Sequence, residues 1–147
     1  EPQDLVNTIG ENLEYLRSRF SNKVKIVFDI AHEGPLIVPH NVSLMEWVVE
    51  NICKNAVDAM DGIGELKLSL RKEQKRVYLD IADTGKGLTK SQFKTIFQPG
   101  YSTKKRGWGL GLTLVKRIIE EYHKGKVFVL KSELDKGTVF RIVLKAE

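Results

Sequence analysis

The sequence predicts an α+β fold in which a mixed, mostly antiparallel sheet of about five strands is covered by three helices. Three observations lead to this prediction. Apolar residues recur at helical spacing in three segments and alternate with polar residues in at least five others. Most of the alternating segments are joined by short polar turns, which is typical of β-hairpins. Amphipathic helices laid on one face of such a sheet form a two-layer α/β sandwich.

The first forty residues show both periodicities. Apolar side chains recur every three or four positions over residues 5–20, which predicts a helix. They recur at every second position over residues 24–30, which predicts a half-buried strand. Residues 36–38 follow a Gly-Pro break and are expected to form a short second strand.

The middle of the chain predicts a helix followed by a hairpin. Ser43 and Glu46 form a capping-box pattern, so the helix is expected to begin with Ser43 at its N-cap. It should run to about Met60, where an Asp-Gly-Ile-Gly sequence ends it. Residues 66–70 and 77–81 alternate around a polar turn, as the two strands of a hairpin do.

The last third begins with a long loop rich in Gly, Lys, Thr and Ser, residues 83–111, with a short helix near residues 90–97. An amphipathic helix follows and is expected to end at Lys124-Gly125. A final hairpin, residues 127–144, completes the sheet.

Composition and length indicate one globular domain over residues 1–147. Hydrophobic residues make up 41% and charged residues 29%, with a formal net charge of +5. The single Cys53 excludes an internal disulfide and fits a reducing compartment. No apolar run approaches the ~18 residues of a membrane span. Because the chain begins at Glu1 rather than Met, we expect it to be an excised piece of a longer protein.

The excess of basic residues indicates little about partners. The sharpest basic cluster is Lys104-Lys105-Arg106, and a looser one at residues 71–76 fits a solvated hairpin tip. Nucleic-acid binding would favour basic residues interleaved with aromatic ones or placed on a recognition helix. Neither pattern occurs, so no nucleic-acid partner is expected.

The first candidate functional feature is a pair of asparagines on the second helix. Asn51 and Asn55 are four residues apart, so their carboxamides share one face, and Asp58 follows on nearly the same stripe. Asparagine is a poor residue for a helix interior because its side chain competes for backbone hydrogen bonds. A solvated face is one interpretation. The other is a ligand group for a hard cation such as Mg²⁺, whose remaining ligands would be phosphates and water.

Asp83 is the second candidate. It continues the apolar row of the preceding strand, where a carboxylate is unfavourable unless it is hydrogen-bonded. Gly85 and Gly87 follow and allow the backbone to turn sharply and approach a ligand closely. Asp83 is therefore either a turn-initiating residue or a buried acceptor for an exocyclic amine such as that of adenine.

The third candidate is the segment Gly107-Trp108-Gly109-Leu110-Gly111-Leu112, which opens the last helix. Alternating glycines ahead of a helix expose backbone N–H groups at the positive end of its dipole, where an anion binds favourably. A glycine-rich linker is the alternative. The segment matches neither a Walker A loop nor the dinucleotide-binding fingerprint, and the triplets of protein kinases are absent.

Together these segments resemble the catalytic and ATP-binding domain of bacterial sensor histidine kinases, in the GHKL ATPase superfamily. The N box corresponds to Asn51–Ala56, the G1 box to Asp83–Gly87, the F box to Phe93–Phe97, the G2 box to Gly107–Leu112 and the closing glycine motif to Gly137–Phe140. The Asn-Ala-Val-Asp-Ala-Met and Tyr-Ser-Thr-Lys-Lys sequences are most similar to the nitrogen-regulator-like branch. The fold that this resemblance implies is the Bergerat ATP-binding fold.

The resemblance implies Mg²⁺ and ATP as cofactors and assigns roles to individual residues. Asn55 would bind the metal, Asn51 would lie beside it at the phosphates, and Asp83 would accept a hydrogen bond from the adenine amino group. Residues 88–108 would form an ATP lid that is mobile without nucleotide and has few anchors in the core. Catalytic roles would fall to Asn51 and Lys104. The other nucleotide-binding residues would be Gly85, Gly87, Lys104, Gly107, Gly109, Leu110, Gly111 and Thr138.

Two residues depart from the patterns of related proteins. Hydrolysing relatives carry a glutamate four residues before the metal-binding asparagine, as general base for water. Asn51 stands there and cannot accept a proton, which favours phosphoryl transfer over hydrolysis. The neighbouring Glu50 is rotated about 100° around the helix. Asp58 stands where many related kinases carry a phosphate-directed lysine, a role that Lys54 or Lys104 would have to fill.

The implied function is transfer of the γ-phosphoryl group of ATP to a histidine on a separate dimerisation domain. His32, His40 and His123 all lack the helical context of a phospho-acceptor, so the acceptor is expected on a preceding segment. The implied partners are that domain and a downstream response regulator, with a homodimeric parent protein and a cytoplasmic location for this domain. The alternatives are a GHKL-type ATP hydrolase, a noncatalytic nucleotide-sensing module and a serine-directed kinase of the same fold.

Overall fold

The computed structural model describes residues 1–99 and 111–147. The strands are β1 (Pro2–Asp4), β2 (Val24–Ala31), β3 (Ile37–Pro39), β4 (Gly64–Glu73), β5 (Arg76–Ala82), β6 (Lys126–Glu133) and β7 (Gly137–Lys145). The helices are α1 (Leu5–Arg19), α2 (Val42–Ala59), the single turn α3 (Gln92–Thr95) and α4 (Gly111–Arg117). From α4 the chain continues into a π-helical turn, Ile118–Tyr122.

Five strands form the main sheet in the order β2-β4-β5-β7-β6. β2 lies parallel to β4, and the other neighbours are antiparallel. The predicted mixed, mostly antiparallel sheet covered by three helices is therefore confirmed. A separate antiparallel pair, β1 and β3, lies outside this sheet. Of these two strands, β3 was predicted and β1 was not.

The hydrophobic core lies between one face of the sheet and the helices. Alternate residues of β4 and β5 face it, and their side chains are fully buried, as the alternation predicts. The buried face of α1 is equally regular, with Leu5, Ile9 and Leu13 inaccessible to solvent. Asp4 caps α1 by accepting a hydrogen bond from Val6 N at 3.1 Å.

The N-terminus of α2 differs from the prediction. Asn41, not Ser43, is the N-cap, and its Oδ1 accepts from Leu44 N at 2.9 Å. Both residue types cap helices well, so local preference does not decide between them. Asn41 N also donates to His123 Nε2 at 3.1 Å. This contact with a residue 82 positions away fixes the chain at Asn41 and has no counterpart in the local pattern.

The last helix ends where predicted, although by a wider turn than an α-helix makes. His123 closes the π-helical turn, with its Nδ1 2.9 Å from Ile118 O. Gly125 N then donates to Ile119 O at 2.8 Å. His123 thus caps the C-terminal end of this helix.

Within residues 1–99 and 111–147, no helix has both the length and the apolar character needed to cross a membrane.

Candidate nucleotide-binding site

The polar stripe of α2 faces away from the core and toward α4. The opposite face of the helix is buried and comprises Met45, Val48, Val49, Ile52, Cys53 and Ala56. Asn51 and Asn55 are half-buried one turn apart, as predicted. Asn51 Nδ2 donates to Trp47 O at 2.7 Å, which fixes the orientation of the carboxamide. Its Oδ1 then faces the start of α4, because a Cβ at Gly111 would lie 3.6 Å from it.

Asp83 lies at the end of β5 and is only 8% exposed, so the burial predicted from the strand alternation is confirmed. Its Oδ1 accepts from Gly85 N at 2.8 Å and from Thr138 N at 3.3 Å. Among the described residues, no donor contacts the other oxygen, Oδ2. Burial raises the pKa of this carboxyl group, and the hydrogen bonds from the Gly85 and Thr138 N–H groups oppose that rise. Asp83 thus offers one acceptor oxygen from a rigidly held side chain.

The glycines around Asp83 permit close approach, as predicted, but the groups that approach are protein backbone. A Cβ at Gly85 would lie 2.6 Å from Ala59 O, at the C-terminal end of α2. Gly87 has a φ of +76°, and a Cβ there would overlap the Glu133 carbonyl. Gly85 and Gly87 therefore bring the turn after β5 against α2 on one side and the β6–β7 hairpin on the other.

A hydroxyl cluster closes the other side of the turn. Thr138 is 5% exposed, and its Oγ1 lies 2.7 Å from Ser132 Oγ. Ser132 Oγ also accepts from Leu88 N at 2.7 Å and donates to Gly137 O at 3.1 Å. These bonds join the segment after Gly87 to the start of β7, directly beside Asp83.

Ser132 was not predicted from the sequence as a site residue, because the alternation of β6 is interrupted. Simple alternation from the buried Val127 and Val129 would place Ser132 on the outer face of the sheet. A bulge between Val129 and Lys131 shifts the register by one residue and turns Ser132 toward Thr138. Ser132 pairs with Thr138 in the ladder, which accounts for the contact of their hydroxyls.

The first part of the predicted lid is anchored in the core, contrary to expectation. Ile96 and Phe97 are 5% and 7% exposed. The Phe97 ring packs edge-on against Phe140, with centroids 6.1 Å apart, and Thr113 Oγ1 donates to Phe97 O at 2.8 Å. The composition of the loop suggested few anchors, whereas Phe97 packs on β7. The predicted site residues Lys104, Gly107, Gly109 and Leu110 lie outside the described residues, as does the rest of the lid after residue 99.

The side chains present fit a metal that is held mainly by a nucleotide. In the part of the chain that the structure describes, no three His, Cys, Asp or Glu residues are grouped to bind a metal. The stripe instead presents the neutral carboxamides of Asn51 and Asn55, about 6 Å apart along the helix axis. Mg²⁺ commonly takes one or two protein oxygens and completes its octahedron with phosphate and water.

Comparison with known proteins identifies the family of this chain. Residues 40–147 match the family described as "Histidine kinase-, DNA gyrase B-, and HSP90-like ATPase", and this chain belongs to it. The chain is therefore an ATP-binding domain of the GHKL type, and the resemblance inferred from the sequence is confirmed.

Two curated relatives extend over the whole chain. Sporulation kinase E of Bacillus subtilis (strain 168) is 33% identical over 146 residues, which cover 98% of this chain and 19% of that protein. The nitrogen regulation protein NtrY of Azorhizobium caulinodans is 30% identical over 156 residues, covering 100% of this chain and 20% of that protein. The chain thus spans about a fifth of the length of these relatives. The likeness to NtrY agrees with the predicted branch.

A solved structure shows the same fold. Full-length ShkA in complex with AMPPNP matches 99% of this chain and 31% of its own length, with a TM-score of 0.85 and 24% identity. The catalytic domain of the histidine kinase ThkA has the same two-layer fold and matches 99% of this chain with a TM-score of 0.87 and 24% identity.

Proposed function

We propose that this domain binds Mg·ATP and transfers the γ-phosphoryl group to a histidine on a separate dimerisation domain. The observation that carries the proposal is the state of Asp83, whose Oδ1 is held by two backbone N–H groups while Oδ2 has no donor among the described residues. A carboxylate oxygen in a buried turn accepts an N–H donor well. The exocyclic amine of adenine supplies one. The ATP-binding family of the chain supports this assignment.

The phosphates would lie along the stripe of α2. Asn55 would hold Mg²⁺ through its carboxamide oxygen, with Asn51 beside it. When bound, Mg²⁺ neutralises charge on the transferring phosphoryl group. Gly111 begins α4 next to Asn51 Oδ1, which supports a site in which these two residues lie at the same end. Contacts from Lys104, Gly107, Gly109 and Leu110 remain predictions.

In the transfer step, the bond between the γ-phosphorus and the β–γ bridging oxygen breaks as a bond to an imidazole nitrogen forms, and ADP leaves. This chain would contribute positioning rather than a proton acceptor. The amide of Asn51 cannot take a proton from water. The neighbouring Glu50 carboxylate forms an ion pair with Lys54 at 3.7 Å. Both observations favour transfer over hydrolysis. The ion pair also gives Lys54 a carboxylate partner, although Lys54 was one candidate for the phosphate-directed lysine.

His40 and His123 are poor phospho-acceptors because their rings are occupied by other contacts. His40 is 3% exposed, and its ring nitrogens contact Thr8 Oγ1 and Val38 O. His123 uses both ring nitrogens in the contacts described above. The acceptor is therefore assigned to a separate dimerisation domain, in a homodimeric parent protein with a response regulator downstream and this domain in the cytoplasm.

Calorimetric titration tests the nucleotide site. ADP and AMPPNP would be titrated with and without Mg²⁺ into the wild type, Asp83→Asn and a control, Asp29→Asn, which changes an exposed carboxylate on β2. The proposal predicts adenine-dependent binding that Asp83→Asn weakens at least about a hundredfold and Asp29→Asn leaves unchanged. Absence of binding to folded wild-type protein, or equal binding to all three proteins, would contradict it.

A further inference from the structure

The outer face of the sheet carries a concave basic surface at the end farthest from Asp83. The strand register places Tyr78 of β5 beside Val143 of β7, which lies beside Lys126 of β6. Arg76 and Lys145 form the next row toward the end of the sheet. Between these rows is a cavity of about 290 Å³, here called the basic cleft.

Most of the positive charges around the basic cleft have no carboxylate partner. Arg141 is held by Asp80 through two hydrogen bonds, Nε at 2.7 Å and Nη2 at 2.8 Å. Throughout residues 1–99 and 111–147, no Asp or Glu lies within ion-pair distance of the other lining cations, which are Arg76, Lys124, Lys126 and Lys145. Clustered cations in a concave surface create a positive potential that attracts anionic groups.

The walls of the basic cleft are aromatic. Tyr78 lies under two guanidinium groups, with Arg71 Cζ 4.4 Å and Arg141 Cζ 5.1 Å from its ring centroid. These contacts hold the ring in place. Phe128 forms the opposite wall from β6 and is 36% exposed. The cleft therefore combines two aromatic side chains with unpaired cations at its rim.

We propose that the basic cleft binds an acidic peptide segment of a partner protein. An apolar side chain of the segment would pack against Tyr78 and Phe128, while its carboxylates would contact Lys126, Lys145 and Arg76. β6 is the last strand of the sheet, so an extended segment can lie beside it without displacing another strand.

Two other anionic partners fit the surface less well. A nucleic acid favours an uninterrupted basic track, whereas Asp80 pairs with the lining residue Arg141 and Glu73 pairs with Arg71 beside the cleft. An anionic membrane contacts protruding apolar side chains, whereas this surface is concave. Charge complementarity together with the aromatic walls favours an acidic peptide.

The basic cleft is separate from the proposed nucleotide site. Seven residue steps along β5 separate Arg76 from Asp83, about 23 Å at about 3.3 Å per residue. The cleft also opens on the face of the sheet opposite the helices. A bound acidic segment would leave the nucleotide site accessible, so nucleotide affinity serves as an independent check on folding.

Fluorescence anisotropy with a short fluorescein-labelled peptide, alternating Glu with Leu and Tyr, tests the proposal. The charge variant is Lys126→Glu/Lys145→Glu. Its matched control is Lys23→Glu/Lys67→Glu, which makes the same change in net charge at exposed positions outside the cleft. We expect the charge variant to weaken binding about tenfold or more and the control to change it less than about twofold. Phe128→Ala should weaken binding several-fold without altering its salt dependence.

The outcomes are distinct. Loss confined to the cleft variants supports the proposal, provided that circular dichroism and nucleotide titration match the wild type. No binding of the peptide to wild type at low ionic strength overturns it. Equal losses in the charge variant and its control would show nonspecific attraction, which also overturns it. Stronger cleft-dependent binding of duplex DNA or of phosphatidylserine vesicles than of the peptide would replace the acidic peptide by that partner.

Discussion

Asp83 and Thr138 are joined by two hydrogen bonds across 55 residues of sequence. Asp83 N donates to Thr138 O at 2.9 Å, and Thr138 N donates to Asp83 Oδ1 at 3.3 Å. The end of β5 and the start of β7 are thereby held at a fixed separation. The orientation of the Asp83 carboxylate is consequently set by the sheet and not by the mobility of a loop.

The stability of Asp83→Asn should depend on pH differently from that of wild type. Burial raises the pKa of the Asp83 carboxyl group, so the native state binds its proton more readily than the unfolded state. The contribution of this group to stability is fully present below its unfolded pKa and is lost as pH rises through the folded pKa. The stability of Asp83→Asn relative to that of wild type should therefore increase from pH 4 to pH 8. The same variant should lose nucleotide binding. Urea unfolding at both pH values measures the change in stability, and a variant that loses relative stability as pH rises would contradict it.

Gly137→Ala should destabilise the site directly. Gly137 has a φ of +126°, and a Cβ there would overlap the Asp83 carbonyl. We expect a loss of about 3 kcal/mol or more in the free energy of unfolding. Gly62→Ala is the matched control, since Gly62 has a φ of +79° but no atom within 4 Å of the added Cβ. Its expected loss, from backbone strain alone, is about 1 kcal/mol. Equal losses in urea unfolding would refute the steric argument.

Ser132→Ala should weaken both stability and nucleotide affinity. The hydroxyl accepts from Leu88 N and contacts Thr138 Oγ1, so its removal leaves a part-buried N–H without its partner. The expected loss is about 1–2 kcal/mol, with weaker ADP binding because Thr138 loses its anchor. Ser69→Ala, on the outer face of β4, is the control and should change neither quantity. Unchanged ADP affinity in Ser132→Ala would separate this cluster from the nucleotide site.

His40 should cause the stability of the protein to fall on acidification. Burial lowers the pKa of His40, and the hydrogen bond to Val38 O only partly opposes this. The unfolded state therefore binds the proton more readily, and stability decreases as pH falls below the ordinary histidine pKa of about 6.5. His40→Gln should show a shallower loss between pH 7 and pH 5 in chemical unfolding, whereas His32→Gln should follow the wild type. Parallel curves for all three proteins would show that His40 does not contribute.

The sequence predicted the features that depend on local periodicity. The helices, the main strands and the burial of Asp83 follow from apolar spacing alone, because each is decided by which face meets the core. The N-cap at Asn41, the inward turn of Ser132 and the anchoring of Phe97 could not be predicted in this way. The first and the third depend on residues distant in sequence, His123 and Phe140, and the second depends on a bulge that interrupts the alternation of β6.

The most direct test of the proposed function is phosphoryl transfer in trans. The wild-type chain and Asp83→Asn would each be incubated with Mg²⁺ and γ-labelled ATP, alone and with a separately produced histidine-bearing dimerisation domain. The proposal predicts no label on the chain alone and acid-labile label on the added domain, dependent on Asp83. Stable label on the isolated chain, or steady release of phosphate with no label on the added domain, would contradict it.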